Sequence, residues 1–354
     1  MAGIDLGGLP LWQNLALFLV TAAVIWVAGS RLAVYADIIA ERTGLGHAFI
    51  GLVLLASATS LPEIGRTISA ASFGDAPLVV DSLLGGVVFQ TSILALADFV
   101  MGKDRVLTFF APRAVLLLEG ALVVALLALA LAGIAAGPLV HLFDVSIWTA
   151  LLFAAYLLSL YLLKGYEASD SWLPTEVPVQ LERAELERLG AARGPRGRST
   201  RTIALLFGGA SVVIFAAGVF LAQVGEVLAT QTGLGASFVG ATLLAVAAAL
   251  PELSTTTAAV RFGAYSLAFS NIFGTNAQLV ALLFLGDLFY RQGPILEAVG
   301  RSSVFAASMG ILVTSVYLVG LIGRRRRAFL GMGLDSAVVL AFYIVTLAVL
   351  YVLT

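Results

Sequence analysis

Long runs of apolar residues, separated by short polar breaks, follow one another from residue 11 to residue 353. Runs of about 18 or more such residues can cross a hydrocarbon core of about 30 Å. Within lipid every backbone N–H and C=O must be satisfied internally, so runs of this length are helices. A membrane β-barrel would alternate over short segments instead. The pattern predicts ten spans, at 11–37, 46–73, 78–100, 111–135, 143–164, 202–229, 235–261, 264–290, 297–322 and 334–353. The first lacks a basic leading segment and is too long for a cleaved signal peptide, so it is read as a true span. One long polar stretch, 165–201, interrupts the series. It holds Trp172, Pro174 and Pro178, a short helical run over 180–193 and a Gly/Pro/Arg-rich tail, and it reads as a solvated linker.

The two sides of this linker repeat one another at an offset of 189 residues. Residues 43–63 read TGLGHAFIGLVLLASATSLPE and residues 232–252 read TGLGASFVGATLLAVAAALPE, with 13 of 21 positions identical and no gap. The register continues through Thr67 and Thr256, Phe73-Gly74 and Phe262-Gly263, Gly85 and Gly274, and Asp98 and Asp287; upstream, Asp37 meets Glu226. Matches of Leu and Ala are cheap in apolar helices, but TGLG and LPE are not. Five spans per unit is an odd number, so the second copy must enter the membrane from the opposite side, the inverted-repeat plan of many secondary transporters. The expected organisation is an all-α membrane protein with one five-helix repeat over 1–164, a linker over 165–201 and a second repeat over 202–354.

Charge sets the orientation. Sixteen of the 20 Lys and Arg residues fall in alternate loops, those after spans 1, 3, 5, 7 and 9, while the opposite side has only Arg291 and Arg301. Basic loops face the cytoplasm. Both termini are therefore expected outside, with the 165–201 loop cytoplasmic, in a cell (inner) membrane. Of the 354 residues 60% are hydrophobic and 12% charged, against about 25% charged in soluble proteins. There is no cysteine, which excludes disulfides, thiolate metal sites and cysteine nucleophiles. The expected partners are the lipid bilayer and inorganic cations, with no nucleic acid and no cofactor. Oligomeric state is not legible.

Glu63 and Glu252 lie deep in apolar spans at equivalent repeat positions. A carboxylate at the bilayer centre costs at least about 2.5–3.5 kcal/mol, which makes each a functional candidate. A glutamate that merely ties helices together is the alternative for one of them, and a poor one for a matched pair. Pro62 and Pro251 precede them. A proline removes one amide donor and clashes with the carbonyl four residues back, so both helices are expected to open and free carbonyls around Ala58-Thr59 and Ala247-Ala248. Carboxylates and carbonyls make a hard oxygen set of the kind calcium and sodium prefer. Soft metals want Cys or His, and only His47 and His141 exist, both placed near membrane surfaces. Further polar candidates follow on the next helix of each copy: Asp81 and Gln90 in the first, and Ser270, Asn271, Thr275, Asn276 and Gln278 in the second. Their alternative role is hydrogen bonding between helices.

The segments GLVLLASATSLPE, GATLLAVAAALPE and SNIFGTN resemble the two α-repeats of the cation/calcium exchanger superfamily, here at about 43–98 and 232–287. The resemblance implies antiport by alternating access, with the first and sixth helices sliding against the other eight. It implies calcium ligation by Glu63, Glu252 and the carbonyls of Thr59 and Ala248, and sodium ligation by Ser60, Gln90, Thr275 and neighbours such as Asn276 and Gln278. Several positions depart from the family pattern. Ala248-Ala249 stand where the second copy usually has Thr-Ser. Gly86 replaces a serine. Gln90 and Leu279 occupy positions where Asn or Asp is expected. Arg66 lies one turn after Glu63 and needs a carboxylate partner, with Glu63 and Asp81 as candidates. Glu119, Asp98 and Asp287 are further near-buried acids, the last two read as snorkelling or as loop contacts. Asp37 and Glu226 are expected either to line an ion entrance or to lie among headgroups.

The leading reading is a secondary antiporter, not an enzyme, exchanging calcium or another cation for sodium or protons. The alternative is a degenerate exchanger-like protein that no longer transports and acts as a sensor or scaffold; Arg66, Ala248 and Ala249 favour it, and the retained glutamate pair opposes it. The missing side-chain oxygens imply fewer sodium ions per cycle, or proton coupling.

Overall fold

The computed structural model describes residues 6–102, 105–111, 113–137, 141–142, 145–167, 197–232, 241–325 and 328–353. Helix α1 (Leu11–Thr43) begins after Pro10 and is closed by Gly44, whose left-handed backbone returns an amide to the Ala40 carbonyl, a glycine helix stop. Then come α2 (His47–Thr59) and α3 (Leu61–Ser72), bent by 51° at Ser60. The first half continues with α4 (Ala76–Met101), a short α5 (Leu107–Phe110), α6 (Ala114–Ala136), a small hairpin β1 (His141–Leu142) and β2 (Val145–Ser146), and α7 (Ile147–Glu167). The second half has α8 (Thr200–Gln231), α9 (Ala241–Arg261), α10 (Tyr265–Phe289), a 3-10 turn at Ile295–Glu297, α11 (Arg301–Gly323), a hairpin β3 (Ala328–Phe329) and β4 (Met332–Gly333), and α12 (Leu334–Leu353).

Among the described residues, α1, α4, α6, α7, α8, α10, α11 and α12 are each long and apolar enough to cross a bilayer, and the bent α2–α3 pair would be a ninth if it crosses as one span. The chain is a multi-pass membrane protein. Helix α9 has 21 residues, enough length for a tenth, but Pro251, Glu252 and four consecutive hydroxyl residues at 254–257 dilute its apolar character. The helical run expected at 180–193 and the start of the span expected at 235–261 lie outside the described residues.

Helices α4 and α10 are the most enclosed of the long helices. Phe269, Phe273, Leu84, Leu94 and Tyr317 are fully buried around them. Helices α1 and α8 are the longest, each about 50 Å by helical rise, and pack on one another through Phe18 and Ile25 against Leu221, Val224 and Leu228. Their other faces expose Leu19, Val20 and Val27, and Leu205 and Val212, as a lipid-facing helix does.

Repeat-related positions take matching conformations. Gly74 and Gly263 both have φ +83°, and each sits in the same turn, its amide bonded to Ala71 or Val260 three residues back. Asp98 and Asp287 make matching clamps. Asp98 accepts from the Leu107 and Gly333 amides and the Ser336 hydroxyl, each at 2.7 Å. Asp287 accepts from the Ser146 and Ile295 amides and the Thr149 hydroxyl, at 2.6–2.7 Å. Each aspartate thus fastens the start of the other half's last helix. Both are fully buried, so the snorkelling reading is corrected and the loop contacts are what the structure shows.

Candidate functional site: a buried carboxylate pair

The first Leu-Pro-Glu behaves as its proline demands. Helix α2 stops at Thr59, Ser60 forms the joint, and Pro62 sits in the first turn of α3, where a missing amide costs nothing. The segment before the joint is a wide π-type turn over Ile50–Leu55. It lies where α10 comes closest: a Cβ on Gly274 would meet the Leu52 Cα and carbonyl oxygen at 2.6 Å. The second Leu-Pro-Glu differs. Helix α9 runs through Pro251 as one helix, so the expected opening there is a loss of one backbone bond without a break. The Pro251 carbonyl instead receives the Ser254 and Thr255 hydroxyls, each at 2.9 Å.

Helix α10 stitches the site together through three side-chain amides, each reaching a different element. Asn271 donates to Thr255 and Thr256 of α9, at 3.0 and 3.1 Å. Asn276 donates to Thr91 of α4 at 2.9 Å. Gln278 donates to Ser57 of α2 at 2.7 Å. Thr275 turns its hydroxyl onto the Asn271 carbonyl at 2.8 Å. Ser57, Thr91, Thr255 and Thr256 were not singled out from the sequence as site residues, although Thr91 adjoins Gln90, and Thr256 is the repeat partner of Thr67.

The donors spent in this way leave oxygen acceptors over. Among the described residues, both carboxylate oxygens of Glu252, Oε2 of Glu63, Oγ of Ser60, Oε1 of Gln90 and Oδ1 of Asn271 and of Asn276 are buried with no hydrogen-bond partner. A native fold leaves few buried polar groups unpaired, because each costs about 1–3 kcal/mol, more if charged. Here seven oxygens share that state, and they come from the joint, α3, α4, α9 and α10. Glu63 and Glu252 lie within each other's electrostatic reach, with Thr59 beside Glu252. The Thr59 hydroxyl is nonetheless turned back to the Leu55 and Ala56 carbonyls. Ala248, one turn before Glu252, is half-buried.

Arg66 resolves in favour of Glu63. Its Nη2 lies 3.4 Å from Glu63 Oε1, and the guanidinium end is half-exposed. Asp81 is engaged elsewhere, accepting from the Ser302 hydroxyl at 2.8 Å and from Ser303 on α11. Its repeat counterpart Ser270 donates to Glu119 on α6, at 2.9 and 2.7 Å from its two oxygens. Gly86 and Leu279 meet: a Cβ on Gly86 would lie 2.9 Å from Leu279 Cδ1. The two departures from the family pattern therefore form one apolar contact.

Residues 13–165 and 202–352 match the sequence profile of the family described as sodium/calcium exchanger protein. The chain belongs to this exchanger family. Its two matched segments are separated by residues 166–201. Among curated proteins it is similar to the inner membrane protein YrbG of Escherichia coli (strain K12), 27% identical over 264 residues, covering 74% of this chain and 75% of that one. Among solved structures it is similar to the sodium-calcium exchanger NCX_Mj soaked with 10 mM Na+ and zero Ca2+, with a TM-score of 0.72 at 15% identity, covering 96% of this chain and 99% of that one. The same exchanger soaked with zero Na+ and Ca2+ gives a TM-score of 0.71 at 14% identity, over 96% and 100% of the two chains. At such identities the likeness is one of fold.

Proposed function

We propose that this chain is a secondary cation antiporter whose ten spans form two inverted five-helix repeats, and that Glu63 and Glu252 bind the transported ion. The observation that carries this reading is that Glu63 and Glu252 are buried within electrostatic reach of one another with three of their four carboxylate oxygens unpartnered. A cation or a proton would supply the partner that such a set lacks. Ser60, Gln90, Asn271 and Asn276 supply neutral oxygens, with the Thr59 and Ala248 carbonyls as further ligands. Gln278 and Thr275 act by holding α10 in register.

The charge of the site bears on the ion. Two carboxylates and one guanidinium leave one net negative charge. Arg66 is half-exposed, so solvent screens it, but it still occupies one oxygen of Glu63. Such a site favours a monovalent cation or a proton over calcium and is consistent with fewer sodium ions per cycle. Alternating access would come from α1 and α8 sliding together against the other helices. Gly29 lies against Ser254 and the Pro251 carbonyl, and Gly218 lies 3.2 Å (from an added Cβ) from Pro62. Small residues of this kind let helix backbones approach closely. The protein would sit in the inner membrane with both termini outside and the 165–201 loop cytoplasmic. A non-transporting scaffold is the weaker reading, because it gives no use for two buried carboxylates with three of their four oxygens unpartnered.

Proteoliposome flux tests this directly, with calcium, sodium, potassium and protons supplied one at a time and Glu63→Gln as the control. Uptake of at least one ion against a gradient of another, lost in Glu63→Gln, supports antiport. No exchange under any pairing overturns it.

A further inference from the structure

A second cluster of metal-ligating side chains lies away from the carboxylate pair. Asp37 and Glu41 are four residues apart on α1 and so share one face. Gly44 and Gly46, with φ +68° and +80°, turn the chain back so that His47, the first residue of α2, meets them. His47 Nε2 is 3.0 Å from Asp37 Oδ1, and one ligand atom from each of the three residues lies within 4.8 Å of the others. Asp37 is almost wholly buried, His47 is 34% exposed and Glu41 is exposed.

We infer that Asp37, Glu41 and His47 form a transition-metal site, of the kind zinc takes, that bridges α1 to α2. Zinc bonds N and O ligands at about 2.0–2.2 Å, so a tetrahedral site needs ligand atoms about 3.3 Å apart, and closing the present cluster takes at most about 1.5 Å of movement. Two carboxylates and one imidazole suit zinc; an imidazole and so few oxygens do not suit calcium. Arg42, next in sequence, donates to the Arg198 carbonyl at 2.8 Å and the Thr200 hydroxyl at 3.4 Å. The equivalent positions in the second half are Glu226, Thr230 and Ala236, so the fold does not require the triad. It belongs to one end of one helix, on the side that the basic loops assign to the cytoplasm.

A metal shared by Asp37, Glu41 and His47 ties α1 to α2 across the Gly44–Gly46 turn. In the antiport reading, on which this consequence rests, α1 moves relative to α2, and bound metal holds it still. Two measurements keep the site and its consequence apart. Titration of the purified protein with Zn2+ is expected to show one equivalent bound in the micromolar range. Co2+ in its place should give visible absorption of a low-coordinate nitrogen/oxygen site. His47→Gln and Glu41→Gln should each weaken Zn2+ binding at least about tenfold, while His141→Ala, the change at the only other histidine, leaves it intact. Equal Zn2+ affinity in wild type and His47→Gln, or no binding below millimolar Zn2+, overturns the site. In proteoliposomes, cytoplasmic-side Zn2+ should inhibit exchange by wild type and spare His47→Gln. Zinc bound at the triad without inhibition leaves the site standing and overturns the coupling to α1.

Discussion

Arg66 Nη2 lies 3.4 Å from Glu63 Oε1, one helical turn away, while the other oxygen of the same carboxylate is buried with no donor. The guanidinium is half-exposed, so the pair is a rim contact and is worth about 0.2–1 kcal/mol. Removing it should therefore tune the ion site without destroying it. Arg66→Ala is expected to raise the apparent affinity for a divalent cation by about 1.5- to 5-fold, the equivalent of that energy range. Concentration dependence of calcium or strontium uptake in proteoliposomes measures this. An unchanged or weakened divalent affinity would mean that the arginine plays no part in ion preference.

The contact between Gly86 and Leu279 explains two departures at once. A serine at 86 alone would press its Cβ to 2.9 Å from Leu279 Cδ1, and overpacking of this kind costs about 1–3 kcal/mol. Gly86→Ser should lower thermal stability, and Gly86→Ser with Leu279→Asn should restore it while adding two side-chain oxygens. The double variant is expected to show a steeper sodium dependence of flux than wild type. A sodium Hill coefficient that does not rise would show that these positions do not reach the ion.

The glycines at the edge of the α1–α8 pair make unequal contacts. An added Cβ on Gly29 would overlap Ser254 Oγ at 1.9 Å, whereas on Gly218 it would sit 3.2 Å from Pro62 Cγ. Gly29→Ala should therefore slow exchange far more than Gly218→Ala, with both proteins still folded. Initial flux rates alongside melting curves separate the effects. Equal rates in both variants would count against close passage of α1 over α9.

Inversion of the repeats can be read with cysteine labelling, since the chain has no native cysteine. Phe73 and Phe262 are repeat partners beside matching turns, and Phe73 is 86% exposed. Phe73→Cys and Phe262→Cys are expected to react with a membrane-impermeant maleimide from opposite sides of the membrane. Reaction from the same side would contradict the inverted arrangement.

Much of this was legible in the sequence because lipid leaves the backbone so few options. Span length and the 189-residue register placed α1, α4, α8 and α10 within a few residues of their ends, apart from α1, which runs on to Thr43. The Leu-Pro-Glu pair gave Glu63 and Glu252. What the sequence did not show is how each proline is accommodated. Pro62 follows a break in its helix and Pro251 does not, although both stand in the same Leu-Pro-Glu. The partner of Arg66 was open too. Both candidate acids lay within reach along the chain, and only Ser302 and Ser303, more than 200 residues away, decide that Asp81 is taken. The burial of Asp98 and Asp287 was hidden because their partners, the hairpins before α12 and α7, carry no pattern of their own.

The central claim is that Glu252, buried with both oxygens unpartnered, is half of the transport site. Glu252→Gln keeps the shape of the side chain and removes the charge. Exchange flux of this variant in proteoliposomes, with the ion pair that wild type exchanges, is the most direct test. The account predicts flux at background level from a protein that purifies and melts like wild type. Wild-type flux in Glu252→Gln would contradict it.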